Sequence, residues 1–268
     1  MDVNIEGSGG GSHIAPKSKY KKIEKFFPVC VDNFFDNPDR IVKYAKSLPK
    51  KPHSDGDWPG KRTEELWKID KELNDTMVLK ILSCFYDFSY QNVSWKTCDM
   101  YFQEIPTLSK NKDDVRNRGW IHCDSADDLE IAGLIYLTPD IDPDTGTSLF
   151  TLKLQNNEEY KVHQTQYVKH LMYKENETID QTYYAKKAKE HEEFFIETTR
   201  FANIYNRMIT YDTNEFHRAN SYYNDDGKDA RLTLVFFIGG LDVEEYPLER
   251  VLEKNRDELI EQRIGVKQ

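Results

Sequence analysis

At residue 93 the apolar residues change period, and this change narrows the fold more than anything else in the chain. Before it, apolar positions recur at helical spacing. Ile41, Val42, Ala45 and Leu48 follow an Asp36-Asn37-Pro38 start and stop at Pro49. Asn or Asp caps the first free N–H groups of a helix, and proline fits the first helical position. A second helix is predicted over 71–85, with Leu73, Met77, Ile81 and Leu82 on one face. Beyond residue 93 come short runs rich in β-branched and aromatic residues, at 93–103, 131–137, 147–152, 204–211 and 232–238. Helices first and then many strands predict an α+β fold: an antiparallel β core, such as a jelly roll, flanked by N-terminal helices.

Three segments stand apart from that core. Residues 1–18 contain Gly7-Ser8-Gly9-Gly10-Gly11-Ser12 and read as a flexible arm, a possible tether to an assembly partner. Residues 151–201 form an insertion between strands, with a charged helix expected at 181–197. Residues 247–268 read as a polar helical tail with Leu248, Val251, Leu252, Leu259 and Ile260 as its stripe. The organisation expected is one domain over 19–246, with its core at about 93–239.

Composition removes several function classes. Lys and Arg number 37 against 47 Asp and Glu, a net charge of −10, so nucleic-acid binding through phosphates is not expected. Hydrophobic residues make up only 38%, but aromatics reach 13%, and their large buried area argues against disorder. No apolar run approaches the ~18–20 residues of a membrane span. The N-terminal sequence lacks a secretory pattern. Cys30, Cys84, Cys98 and Cys123 form no C-x-x-C pair, so neither a zinc knuckle nor a disulfide framework is expected, and reduced thiols in a cytoplasm are.

The residues that can carry chemistry are His122 and Asp124, then His217, then Arg231. At i and i+2 on a strand or strand end, His122 and Asp124 point to one side, with Cys123 facing away. A second imidazole from His217 completes a two-His, one-carboxylate face. Such a face leaves coordination positions open and suits Fe(II) that binds an organic cosubstrate and oxygen. Arg231 and Thr233 share the same i, i+2 relation at the start of a Phe-rich strand. A guanidinium fork with a hydroxyl holds a carboxylate well, and an inward-facing Arg needs an anion.

His122-x-Asp124, His217 and Arg231-x-Thr233, together with Gly146-Thr147-Ser148-Leu149-Phe150 after an apolar strand, resemble the Fe(II)/2-oxoglutarate-dependent dioxygenases. The likeness spans about residues 95–239 and is greatest to the prolyl-hydroxylase-like branch, including an uncharacterised bacterial and phage group. The resemblance implies a double-stranded β-helix (a cupin-like jelly roll) and iron on His122, Asp124 and His217. It implies 2-oxoglutarate held by Arg231 with Thr233, assisted by a tyrosine for which Tyr101 and Tyr136 are the candidates. It also implies a hydroxylase that consumes O2, releases succinate and CO2, and acts on a peptidyl (prolyl included) or amino-acid-like substrate. Lys228 is the alternative anchoring cation. Loop 53–63 and the insertion are expected to form a substrate rim.

Other patterns carry less. Asp140, Asp142 and Asp144 have calcium-loop spacing, but Pro143 intrudes and Thr151 replaces the closing Glu, so a turn is expected. His191-Glu192-Glu193 lacks the second histidine of a zinc-protease helix. His163, His170 and His191 are expected to be exposed. Arg62 and Arg207 are spare cations, Arg207 on a strand and paired structurally. The competing reading is a β-helix module that binds or assembles without catalysis.

Overall fold

The protein's structure, a computed structural model, describes residues 26–54, 57–89, 91–124, 129–153, 169, 173, 180–224 and 230–243. The arm at 1–18, the tail at 247–268, Lys228, and residues 154–168, 170–172 and 174–179 of the insertion, His163 and His170 among them, lie outside them. Among the described residues, no helix is long and apolar enough to cross a membrane.

Helix α1 (Pro38–Ser47) starts as expected: Asn37 accepts the Arg40 N–H at 3.1 Å and Pro38 occupies the first turn. Strand β1 (Val29–Val31) precedes it, and β2 (Lys61–Arg62) and the short α2 (Leu66–Ile69) follow it; none of these three was anticipated. Helix α3 (Lys71–Leu82) is capped by Asp70 and ends three residues before the predicted 85. There the Cys84, Phe85 and Tyr86 N–H groups turn onto the Ile81 and Leu82 carbonyls and close the helix.

The predicted strand at 93–103 is two strands: β3 (Val93–Ser94) and β4 (Thr97–Ile105). Then come β5 (Leu129–Tyr136), β6 (Thr147–Leu152), α4 (Gln181–Glu192), β7 (Phe195–Phe201), β8 (Met208–Asp212), β9 (Phe216–Ala219), β10 (Arg231–Gly239) and β11 (Asp242–Val243). The expected helix over 181–197 thus stops at Glu192. Phe195 to Phe201 pair with β6 instead, because β-branched and aromatic residues gain more in a sheet than in a charged helix. Strand β8 starts at 208 rather than 204. Asn206 adopts a left-handed φ of 65° and exchanges 2.8 Å hydrogen bonds with the Phe35 backbone, and a strand cannot run through that turn. Arg207 consequently lies before the strand, where it pairs with Asp32 at 2.5 and 2.9 Å.

Among the described residues, all strand pairs are antiparallel. A six-stranded sheet has the order β1-β8-β5-β10-β4-β2, a three-stranded sheet the order β7-β6-β9, and β11 pairs β3. The architecture is therefore mixed α and β with mostly antiparallel sheets. Alternation gives the large sheet two unlike faces. Met100, Phe102, Leu234 and Phe236 join Ala45 of α1 and Met77, Val78 and Ile81 of α3 in the main core. The opposite face packs Ala132, Leu134, Tyr136, Ile209 and Tyr211 against Leu149 of the small sheet. The Tyr136 hydroxyl reaches across to Thr147 at 2.9 Å. Gly133 pairs with Phe236. A Cβ there would sit 2.4 Å from the Phe236 ring and 2.3 Å from the Ile209 carbonyl oxygen, so only glycine fits.

Candidate metal centre

A cavity of about 750 Å³ opens between the two sheets, lined by residues of β4, β5, β8 and β10 on one side and of β6 and β9 on the other. His122 and His217 meet at its wall. Although 95 residues apart in sequence, they pair as an antiparallel bridge: the His122 N–H donates to the His217 carbonyl at 3.1 Å and the His217 N–H donates back at 2.8 Å. Two residues on, the Asp124 N–H donates to the Thr213 carbonyl at 2.9 Å. One nitrogen from each histidine and a carboxylate oxygen of Asp124 lie within 4.8 Å of one another. Nε2 of His217 is 3.2 Å and Nε2 of His122 is 3.5 Å from Asp124 oxygens.

The tautomers follow from the other ring nitrogens. His122 Nδ1 faces the Trp120 carbonyl at 2.7 Å and His217 Nδ1 faces the Glu215 carbonyl at 3.0 Å. A carbonyl only accepts, so each Nδ1 carries the proton and each Nε2 presents a lone pair. Three electron-pair donors therefore converge with no proton between them, the donor set a divalent cation requires. Burial pushes the His122 imidazole down to about 4, helped by Lys169 and His217, so it stays neutral at pH 7. Burial pushes the Asp124 carboxyl up. The two imidazoles beside it, His217 first and then His122, overcome this and leave the carboxyl well below its ordinary range.

Arg231, 4% exposed, lines the same cavity, and its Nε and Nη2 are buried without a hydrogen-bond partner. Thr233 is buried, with an unpaired hydroxyl, on the same face of β10. Tyr136 places its ring 5.4 Å from the Arg231 guanidinium. Tyr101 lines the cavity from β4 of the large sheet, its ring 5.3 Å from the Arg62 guanidinium. Cys123 also borders the cavity, against expectation. Residues 123 and 124 lie outside regular strand, so strict alternation of sides does not apply.

Several residues of the site were missed in the sequence. Arg62 and Trp58 enter from the loop expected as a rim, and Lys169 and Tyr173 from the insertion. His191, expected to be exposed, is 1% exposed. It stacks on Trp120 at 4.5 Å, and its Nε2 donates to the Ile121 carbonyl at 2.7 Å, directly behind His122. The one available signal was its place on the sparse apolar face of α4, with Tyr184 and Ala188. Asp142 caps a 3-10 turn at Pro143–Thr145, as the Pro/Asp/Gly pattern requires.

Fold and donor set together define a class: an antiparallel β protein with a His-Asp-His cluster in the cavity between its six-stranded and three-stranded sheets. Residues 16–238 match the family described as a family of unknown function, DUF6445, and the chain belongs to that family. No curated protein matches the sequence. Among solved structures, it is similar to a prolyl hydroxylase from Trichoplax adhaerens in complex with a hypoxia inducible factor oxygen degradation domain peptide fragment. That match has 12% identity, covers 85% of this chain and 87% of the other, and has a TM-score of 0.43. A 2OG-Fe(II) oxygenase family oxidoreductase from Burkholderia pseudomallei is 14% identical, with 79% and 85% covered and a TM-score of 0.44. HygX from Streptomyces hygroscopicus, with nickel and 2-oxoglutarate bound, is 10% identical, with 80% and 83% covered and a TM-score of 0.45.

Proposed function

We propose that the protein is an Fe(II)/2-oxoglutarate-dependent dioxygenase of jelly-roll type that hydroxylates a C–H bond of a peptidyl, including prolyl, or amino-acid-like substrate. One observation carries the reading. Three convergent ligand atoms and a buried guanidinium without an anionic partner among the described residues share a single cavity. An uncompensated buried cation is costly, so Arg231 is expected to have an anionic ligand.

His122, Asp124 and His217 would hold the iron. With 2-oxoglutarate and O2, the iron supplies the oxidising power, and succinate and CO2 are released. The chain supplies orientation. The Trp120 and Glu215 carbonyls fix both imidazole rings, and the reciprocal His122–His217 backbone pair fixes their separation. Arg231 would receive the distal carboxylate of 2-oxoglutarate through its fork, with the Thr233 hydroxyl beside it and Tyr136 as its flank. Tyr101 would shape the cosubstrate's surroundings from β4. A cavity of this size lies within the ordinary range for small-molecule sites and admits 2-oxoglutarate with part of a substrate. The four cysteines are free thiols, consistent with a cytoplasmic protein.

Fe(II) binding by titration calorimetry and succinate formation from 2-oxoglutarate test the proposal together. Binding with slow succinate release in the absence of substrate is expected. A protein that takes up neither metal nor 2-oxoglutarate would instead be a binding module.

A further inference from the structure

The cavity has a second cationic end. Arg62 reaches it from β2, on the edge of the sheet two strands from Arg231. Its position is fixed on every side. The backbone exchanges 2.8 and 2.9 Å hydrogen bonds with Lys51, and the guanidinium lies 4.3 Å from the Trp58 ring, 5.3 Å from Tyr101 and 6.0 Å from Phe237. Nη2 donates to Gln103 at 3.3 Å, and Gln103 is itself tied to the Pro59 carbonyl at 2.7 Å. Nε is buried and meets no acceptor among the described residues. Lys169 lines the same cavity; burial first, and the nearby Arg62 charge after it, oppose its protonation.

Two cations lining one partly desolvated cavity need an anion. The carboxylates that act on both are Asp124 and Asp57. Asp124 belongs to the His-Asp-His cluster, and Asp57 lies 3.4 Å from His53. The third lining carboxylate, Asp99, interacts with Glu65 and Lys68 instead. The two carboxylates that act on both cations are thus each already shared with histidines, in a chain whose net charge is −10.

We infer that Arg62 and Lys169 form a subsite for a carboxylate of the substrate, which is therefore a free acid of amino-acid type rather than a residue inside a peptide chain. The inference rests on the oxygenase reading of the same cavity and selects between its substrate classes. Stacking on Trp58 pre-orients the planar fork, so little order is lost when a carboxylate docks on its edge.

The test uses the full chain loaded with Mn(II) and 2-oxoglutarate under exclusion of oxygen. The affinities for these two ligands, measured first, test the oxygenase reading separately. N-acetyl amino acids and the matched N-acetyl amino acid amides are then titrated by calorimetry. The acids are expected to bind about tenfold or more tightly than the amides, the effect of a hydrogen bond to a charged group. Arg62→Gln and Lys169→Met, each checked for an unchanged melting temperature, are expected to remove most of that advantage. The subsite is overturned if acids and amides bind alike, if neither binds, or if the advantage survives both substitutions. Should Mn(II) and 2-oxoglutarate fail to bind, the same acid-against-amide comparison on metal-free Arg231→Met protein still decides whether Arg62 and Lys169 capture carboxylates.

Discussion

Acid should loosen the protein through His191, a residue distant from any reacting atom. Its imidazole is sandwiched between Trp120 at 4.5 Å and Phe195 at 5.0 Å, and its Nε2–H donates to the Ile121 carbonyl. Burial lowers its pKa from 6.5 to about 4, against smaller opposing effects of the Ile121 hydrogen bond and Glu192, while Arg218 adds to the lowering. A folded-state pKa below the unfolded one means that the unfolded chain takes up the proton first. The stabilisation is therefore complete above pH ~6.5, declines as pH falls, and levels off below about 4. At ~1.4 kcal/mol per pH unit for one proton, the accumulated loss is about 3 kcal/mol, a large part of a typical domain's stability. His191→Gln separates this effect from all other titrations. The amide N–H can still donate to Ile121, but no proton is taken up. Urea unfolding of the metal-free wild type and variant between pH 7 and 4 measures the difference. The variant's stability should fall less steeply, by up to one proton's worth of slope. The parallel contribution of His122, also lowered to about 4, cancels in the comparison. Equal slopes would show that His191 is accessible to protons in the folded state, contrary to its burial.

Asp124→Ala removes one of three ligand atoms and should abolish Fe(II) binding in calorimetry, while the circular dichroism spectrum stays that of wild type. Arg231→Lys should raise the 2-oxoglutarate concentration needed for half-maximal succinate formation by about tenfold or more, because a point charge cannot reproduce two parallel hydrogen bonds. An unchanged requirement would move the anchor to another cation. Gly133→Ala should destabilise the fold by at least ~1–3 kcal/mol in urea unfolding, since its methyl group must displace either Phe236 or the Ile209 backbone.

What was legible in the sequence was what short-range chemistry specifies. Asn37-Pro38 starts α1, Gly146 precedes β6, and the Phe-rich run beginning at Arg231 is a strand with Arg231 and Thr233 on one face. The His-x-Asp spacing and the later His217 were visible as types of residue. Three things were hidden for one reason, that a partner distant in sequence decides them. Residues 195–197 read as the end of a charged helix until β6 pairs with Phe195–Phe201. His191 reads as solvated until Trp120 covers it. Arg62 reads as a loop cation until Trp58, Tyr101 and Gln103 fix its place in the cavity.

The same dependence on distant partners explains how the cluster stays ordered. His122 is not held by a long strand of its own; its segment adds only one bridge beside β9. Three backbone hydrogen bonds, from His122 and Asp124 and back from His217, fasten it to residues 213–217. Behind it, Trp120 and Ile121 are secured by His191, whose helix α4 belongs to the insertion. The insertion is thus part of the scaffold behind the His-Asp-His cluster as well as a source of Lys169 and Tyr173 at the cavity wall. Loss of packing at His191 should therefore disturb the two histidines before it disturbs the main core. That core lies on the far face of the large sheet and shares no buried residue with the Trp120–Tyr184–Ala188 cluster.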